Sequence, residues 1–150
     1  MNQELIELAK QLTENEAAGT LSTHSVKHAG YPFASSAPFC VAPNGSPVFL
    51  LSSLAAHTKN LKQNSKASLL VAASKQVSDA RLTVIGDLEK ISESERDAIG
   101  NSYLQRHPEA QQWVSFGDFA FYRLVPIDLY LVAGFGKMGW IKPDDYAKAF

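Results

Sequence analysis

Along the chain the apolar positions recur first at helical spacing and then at strand spacing. Leu5, Ile6, Leu8, Ala9 and Leu12 are interleaved with Glu4, Glu7, Lys10 and Gln11. This pattern predicts an amphipathic helix over about residues 3–18, ending before Gly19. Gly19–Val26 is rich in β-formers and reads as a strand. After a turn holding Gly30 and Pro32, Phe33–Ala42 reads as the next strand. Pro38 inside it demands an edge, a bulge or a break in pairing. Val48–Leu51 is a short apolar run entered from Asn44-Gly45-Ser46-Pro47, which fits a buried strand after a tight turn. Ala67–Ala73 is a second continuous apolar run. Ala80–Ile91 is longer, with Leu82, Val84 and Leu88 on one face.

Ser92 and Glu95 have the spacing of a capping box. The helix they open runs to about Arg106 and stops before Pro108. Glu109–Ser115, which contains Trp113, reads as a short helix or turn. Phe119–Val125 and Ile127–Val132 read as two strands joined at Pro126. The second alternates Ile127, Leu129 and Leu131 against Asp128, Tyr130 and Val132. Gly134–Trp140 is a glycine-spaced aromatic loop, which Phe135 and Trp140 would anchor. It has no surrounding βαβ unit and so is no dinucleotide fingerprint. The last residues form a short amphipathic tail. Six or seven strands with two or three helices, and no regular βαβ alternation, predict a mainly β (α+β) fold: an antiparallel barrel with flanking helices, one domain over residues 1–150. So small a barrel has a filled interior, so a ligand would sit outside it, most naturally between two subunits.

Composition narrows the partners. The formal charge is −1, from 14 basic and 15 acidic residues. No basic excess points to nucleic acid and no polybasic block to a membrane. No stretch approaches the roughly 18 apolar residues of a membrane helix. The start lacks the pattern of a signal peptide, so a cytoplasmic protein is expected. Cys40 is the single cysteine and lies among apolar residues, which suits a core position. His24 and His28 are four apart, but on a strand and turn without a third ligand at metal spacing, so no metal site is expected.

The densest chemistry lies after Val48–Leu51. Ser52, Ser53, His57, Thr58, Lys59 and Asn60 place six polar side chains within nine residues. Thr58 is a good N-cap for a helix running to Gln63 or Lys66. A helix start offers free N–H groups and a partial positive charge, which suits a phosphate. The same residues also fit a strand-to-helix connection with ordinary capping. Ala34–Ala37 are small and leave room beside the backbone for a flat ligand, or simply form a bulged edge. No paired carboxylates and no Ser/His/Asp set stand out, so any chemistry would belong to a bound cofactor.

Ser52-Ser53-Leu54-Ala55-x-His57-Thr58-x-Asn60-Leu61 resembles the FMN-binding split-barrel flavoproteins related to pyridoxamine 5′-phosphate oxidase, in the branch that includes the haem-utilisation proteins. Arg81-Leu-Thr-Val-Ile-Gly86 and Gly134-Phe-Gly-x-x-x-Trp140 extend the likeness from about Gly19 to Trp140. The resemblance implies a six-stranded antiparallel split β-barrel and a homodimer with FMN at the interface. It implies cofactor contacts at Ser35, Ser36 and Leu51, along the segment Ser52, Ser53, His57, Thr58, Lys59 and Asn60, and at Arg81. It places the Gly134–Trp140 loop near the flavin pocket. The oxidases have a basic residue at the position of Ser35 and a Gln at that of Arg81. They also carry a C-terminal Trp- and Arg/His-rich run that is missing here. Pyridoxamine phosphate oxidation is therefore not expected. An FMN-dependent oxidoreductase leads; haem binding or degradation and a non-catalytic flavin- or ligand-binding module are the alternatives. The aromatic excess of Phe116, Phe119, Phe121 and Tyr122 supports the homodimer.

Overall fold

The apolar run Pro47–Ser52 is buried along nearly its whole length, because both of its faces meet a core. Phe49 and Leu51 join one apolar cluster, with Leu21, Leu69, Leu82 and Leu129. Val48 and Leu50 join a second, with Cys40, Ile99, Tyr103 and Phe121. Each fully buried side chain of this kind stabilises by about 1.5–3 kcal/mol, so a strand between two cores has no place for a polar residue. The computed structural model describes residues 3–150 except Lys75, Val77, Ser78 and Phe135. The expected anchoring by Phe135 lies outside the described residues.

In chain order the elements are helix α1 (Gln3–Asn15), β1 (Ala18–His24), β2 (Pro32–Pro38), β3 (Cys40–Val41), β4 (Pro47–Ser52), α2 (Ala56–Gln63), β5 (Lys66–Ala72), β6 (Arg81–Lys90), α3 (Glu93–Arg106), a 3-10 turn (Pro108–Gln112), β7 (Phe119–Gly134), β8 (Lys137–Ile141) and α4 (Pro143–Ala147). The strands form one antiparallel sheet in the order β2-β1-β5-β6-β7-β4-β3, with β8 also on β7. Its two ends, β2 and β3, are separated in the chain by Phe39 alone, so the sheet has to curl to bring them together. The break falls next to Pro38, as the proline demands. The result is mainly β with flanking helices, with eight strand segments among the described residues where six were expected.

Three expectations change. Pro126 does not separate two strands: Phe119–Gly134 is one sixteen-residue strand with an irregularity in its pairing between Ile85 and Gly86. That shift turns Ile127 outward, 62% exposed, while Leu129 and Leu131 stay buried. Lys137–Trp140, expected in a loop, belong to strand β8, with Trp140 opposite Tyr130. The aromatic surplus is mostly absorbed by the protein itself. Phe121 packs edge-on to Tyr103 in the second core and Tyr122 is buried in the first; Phe116 stays exposed. Cys40 is buried, and that burial pushes its thiol up to about 11, so it is a protonated core residue.

Candidate functional site

The polar stretch after β4 folds into a turn and a short helix, but its side chains are divided between structure and solvent. Ser52 Oγ donates to Asp118 Oδ2 at 2.8 Å and accepts from Leu54 N–H at 3.1 Å. Ala55 N–H then closes the turn on Ser52 O. Helix α2 therefore starts at Ala56 with Ala55 as its N-cap, and no side chain caps it. Thr58 is not the cap. It sits within the first turn, fully buried, with Oγ1 shielded from solvent and without a hydrogen-bond partner among the described residues. Asn60 is also buried. Its Oδ1 accepts from Val26 N–H at 3.0 Å, and its Nδ2 donates to Thr23 Oγ1 at 3.1 Å. Asn60 thus fastens α2 to the barrel, and the Thr58 side chain is buried.

The rest do gather at the helix start. Ser35 Oγ on β2 and His57 Nδ1 are hydrogen-bonded at 3.0 Å. Both are half-buried, and desolvation pushes the His57 pKa below its ordinary value. Ser53 is half-buried and Lys59 exposed beside them. With no side-chain cap, the first-turn amides remain available. Ser36 lies exposed on β2 opposite Thr20, and the Leu51 side chain is in the core. Arg81 is elsewhere. Ser52 pairs with Phe119 at one end of β7, whereas Arg81 pairs with Val132 near the other. Within the single chain the two halves of the expected flavin site are therefore not brought together. Asp118, whose carboxylate lies against the helix start, was not legible locally, since its partner Ser52 is 66 positions away.

We expect Thr58→Val to raise the melting temperature by a few degrees. A buried hydroxyl without a partner costs about 1–3 kcal/mol, and valine keeps the shape while removing that cost. A thermal melt that falls on this substitution would show that the hydroxyl is satisfied in solution.

A second concave region lies on the outer face of the sheet. The alternation that buries Leu21 and Thr23 turns Ser22 and His24 outward. Ser22, Ser68 and Ile85 make one cross-strand row. Around it a groove of about 450 Å³ is bounded by His24 and Pro32 on the β1–β2 hairpin, by Lys66 and Asp87, and by the displaced Ile127. The adjacent outward row runs Ser36, Thr20, Leu70, Thr83, Tyr130, Trp140.

The CREG, beta-barrel family matches residues 2–148. The chain belongs to this family. It is 40% identical over 130 residues to the non-canonical heme oxygenase HOZ, chloroplastic, of Arabidopsis thaliana, covering 86% of this chain and 40% of that protein. The chain thus spans well under half the length of that curated relative. Its fold matches a heme binding protein from Mycobacterium smegmatis with a TM-score of 0.88 at 28% identity, over 97% of this chain and 60% of the other. It also matches a protein related to general stress protein 26, of the pyridoxinephosphate oxidase family, from Clostridium acetobutylicum. There the TM-score is 0.74 at 13% identity, over 97% and 99% of the two chains. The chain thus shares its fold with both of these proteins. Among the described residues no helix is long and apolar enough to cross a membrane.

Proposed function

We propose that this CREG-family chain binds haem in the outer groove across β1, β5 and β6. The observation that carries the reading is the groove itself. A haem is a flat apolar macrocycle with two carboxylates, and this groove offers apolar Ile85, Ile127 and Pro32 with the Lys66 ammonium at one side. Two of the similar proteins are named for haem, one of them at 40% identity. Haem, when bound, supplies a redox-active iron; the protein supplies position, polarity and exclusion of water. Titration of the purified protein with haemin is expected to give a saturable one-to-one shift of the Soret band. A spectrum indistinguishable from free haemin would overturn the reading. Adding a reductant in air to the complex then tests for haem degradation, read as loss of the Soret band.

One observation favours a second reading, FMN binding at the start of α2. The uncapped first-turn amides, Ser35, Ser53 and Lys59 could together receive a terminal phosphate. The Asp118 carboxylate beside Ser52 opposes it, and Thr58 is too buried to contribute. Affinity for FMN well above that for riboflavin would support this reading. Equal affinity would remove the phosphate from it.

In either case the assembly we propose is a homodimer through the outer face of the sheet. That face carries Leu70, Met138 and Trp140 exposed, with the Tyr130 and Trp140 rings 4.8 Å apart. A two-fold interface lets each copy cover the same surface on the other.

A further inference from the structure

We infer that His24 is the residue that would hold the haem iron through its imidazole, and Lys66 the one whose charge would face a haem carboxylate. The inference rests on the haem-binding reading above. The chain has four histidines. His107 is buried, with Nε2 2.8 Å from the Phe39 carbonyl and Nδ1 3.6 Å from Glu109. An imidazole buried inside the protein, with Nε2 already on a backbone carbonyl, cannot meet a macrocycle on the surface. His57 has Nδ1 on Ser35, beside α2, and is not on the groove. His28 is in the β1–β2 hairpin loop, off the groove, with its ring edge-on to Tyr31 at 6.5 Å.

His24 differs from all three. It is exposed on the groove, while its backbone is fixed by the pairing of β1 with β2, where it stands opposite Pro32. Iron ligation needs a neutral imidazole with a free ring nitrogen, held in advance by a rigid element. A strand-end histidine on a concave surface meets that need better than a loop histidine does. Its surroundings match the rest of the ligand. Ile85 and Ile127 offer apolar contact, and Lys66 follows on the next strand. Asp87, the cross-strand partner of Lys66, also lines the groove and accepts from Ser65 Oγ at 3.4 Å. Its charge repels carboxylates directly across from Lys66, so it is the Lys66 ammonium that would draw a haem carboxylate at this end of the groove.

The test is a haemin titration of wild type, His24→Ala, His24→Cys, Lys66→Ala and, as a control, His28→Ala. Absorbance and electron paramagnetic resonance report the iron's ligand directly. His24→Ala is expected to bind haemin at least tenfold more weakly and to lose the histidine-ligated spectrum, which added imidazole restores. His24→Cys is expected to show a thiolate-ligated spectrum, a positive signature that loss of folding cannot imitate. Lys66→Ala is expected to weaken binding several-fold without changing the spectrum. A wild-type spectrum and affinity in His24→Ala, with wild type binding normally, would overturn this assignment and leave the haem reading intact. Failure of wild type itself to shift the haemin spectrum would remove the reading along with the assignment.

Discussion

Gly86→Ala is expected to lower the melting temperature by more than about 6 °C. A Cβ at this position would overlap the Val125 carbonyl oxygen and meet its carbon at 2.8 Å, with Pro126 Cα at 3.2 Å. These are backbone atoms and cannot swing aside as a side-chain tip could. Relief requires separating β6 from β7 where their register shifts, between Ile85 and Gly86. Overpacking of this kind costs about 1–3 kcal/mol, and more when the neighbour is rigid. For a chain of this size each kcal/mol moves the midpoint by about 2–4 °C. Gly117→Ala is the control, since nothing lies within 4 Å of its added Cβ. The same register shift carries Ile127 out to the groove, so haemin binding by Gly86→Ala should weaken along with stability. A melting curve for Gly86→Ala that overlays that of Gly117→Ala would show that the β6–β7 crossing is not as tight as the structure has it.

That crossing marks the limit of what the sequence reveals. Local patterns placed the elements well. The helical spacing at Leu5–Leu12, the helix start at Ser92 and the break at Pro38 all correspond to observed elements. But Ser92 Oγ donates to the Glu95 carboxylate instead of capping the helix, and the first helix ends at Asn15 where about residue 18 was expected. Pro126 was legible as an irregularity but not as a mid-strand one. A proline can sit inside a long strand where its partner is a glycine, and Gly86 lies 40 positions away in sequence. Ile127 has the parity of a core residue, yet is exposed, because strand alternation holds only between bulges. The site divides the same way. Residue types around Ser52–Asn60 signalled a polar turn before a helix. Whether each side chain faced a ligand or the protein depended on distant partners: Asp118 for Ser52, Thr23 and Val26 for Asn60. Thr58 resembled a cap because threonine is a good one, but the turn closed by Ser52 starts the helix earlier. His24 looked like an ordinary strand histidine. What singles it out is a concavity assembled from five strands, which no local window contains.

Leu70→Glu combined with Trp140→Glu is expected to convert a dimer into monomers. Wild type at micromolar concentration should sediment at twice the 16.4 kDa chain mass, and the double variant at the chain mass itself. The two residues lie in one outward row, joined through Thr83 and Tyr130, and are 39% and 55% exposed on the single chain. Met138 adds a further apolar side chain at 52% exposure, on the adjacent row with Arg81 and Val132. Large apolar side chains standing together on the face of a sheet mark an interaction surface, whereas scattered ones do not. In a two-fold interface each substitution appears twice, so the double variant places four carboxylates where apolar groups met. Transferring even one unpaired charge out of water costs several kcal/mol. A micromolar dimer is held by only about 8 kcal/mol, so it cannot absorb that cost. Folding of the single chain should be nearly unaffected, because both side chains project away from its core. Far-UV circular dichroism and a thermal melt separate dissociation from unfolding. The haem groove adjoins this row through Ser68, the outward neighbour of Leu70 on β5. If a second copy completes the groove, the monomeric variant should also bind haemin more weakly while His24 still gives its ligand spectrum. A double variant that remains at twice the chain mass would place the dimer interface on another face. A wild type that is already monomeric at micromolar concentration would end the proposal of a dimer altogether.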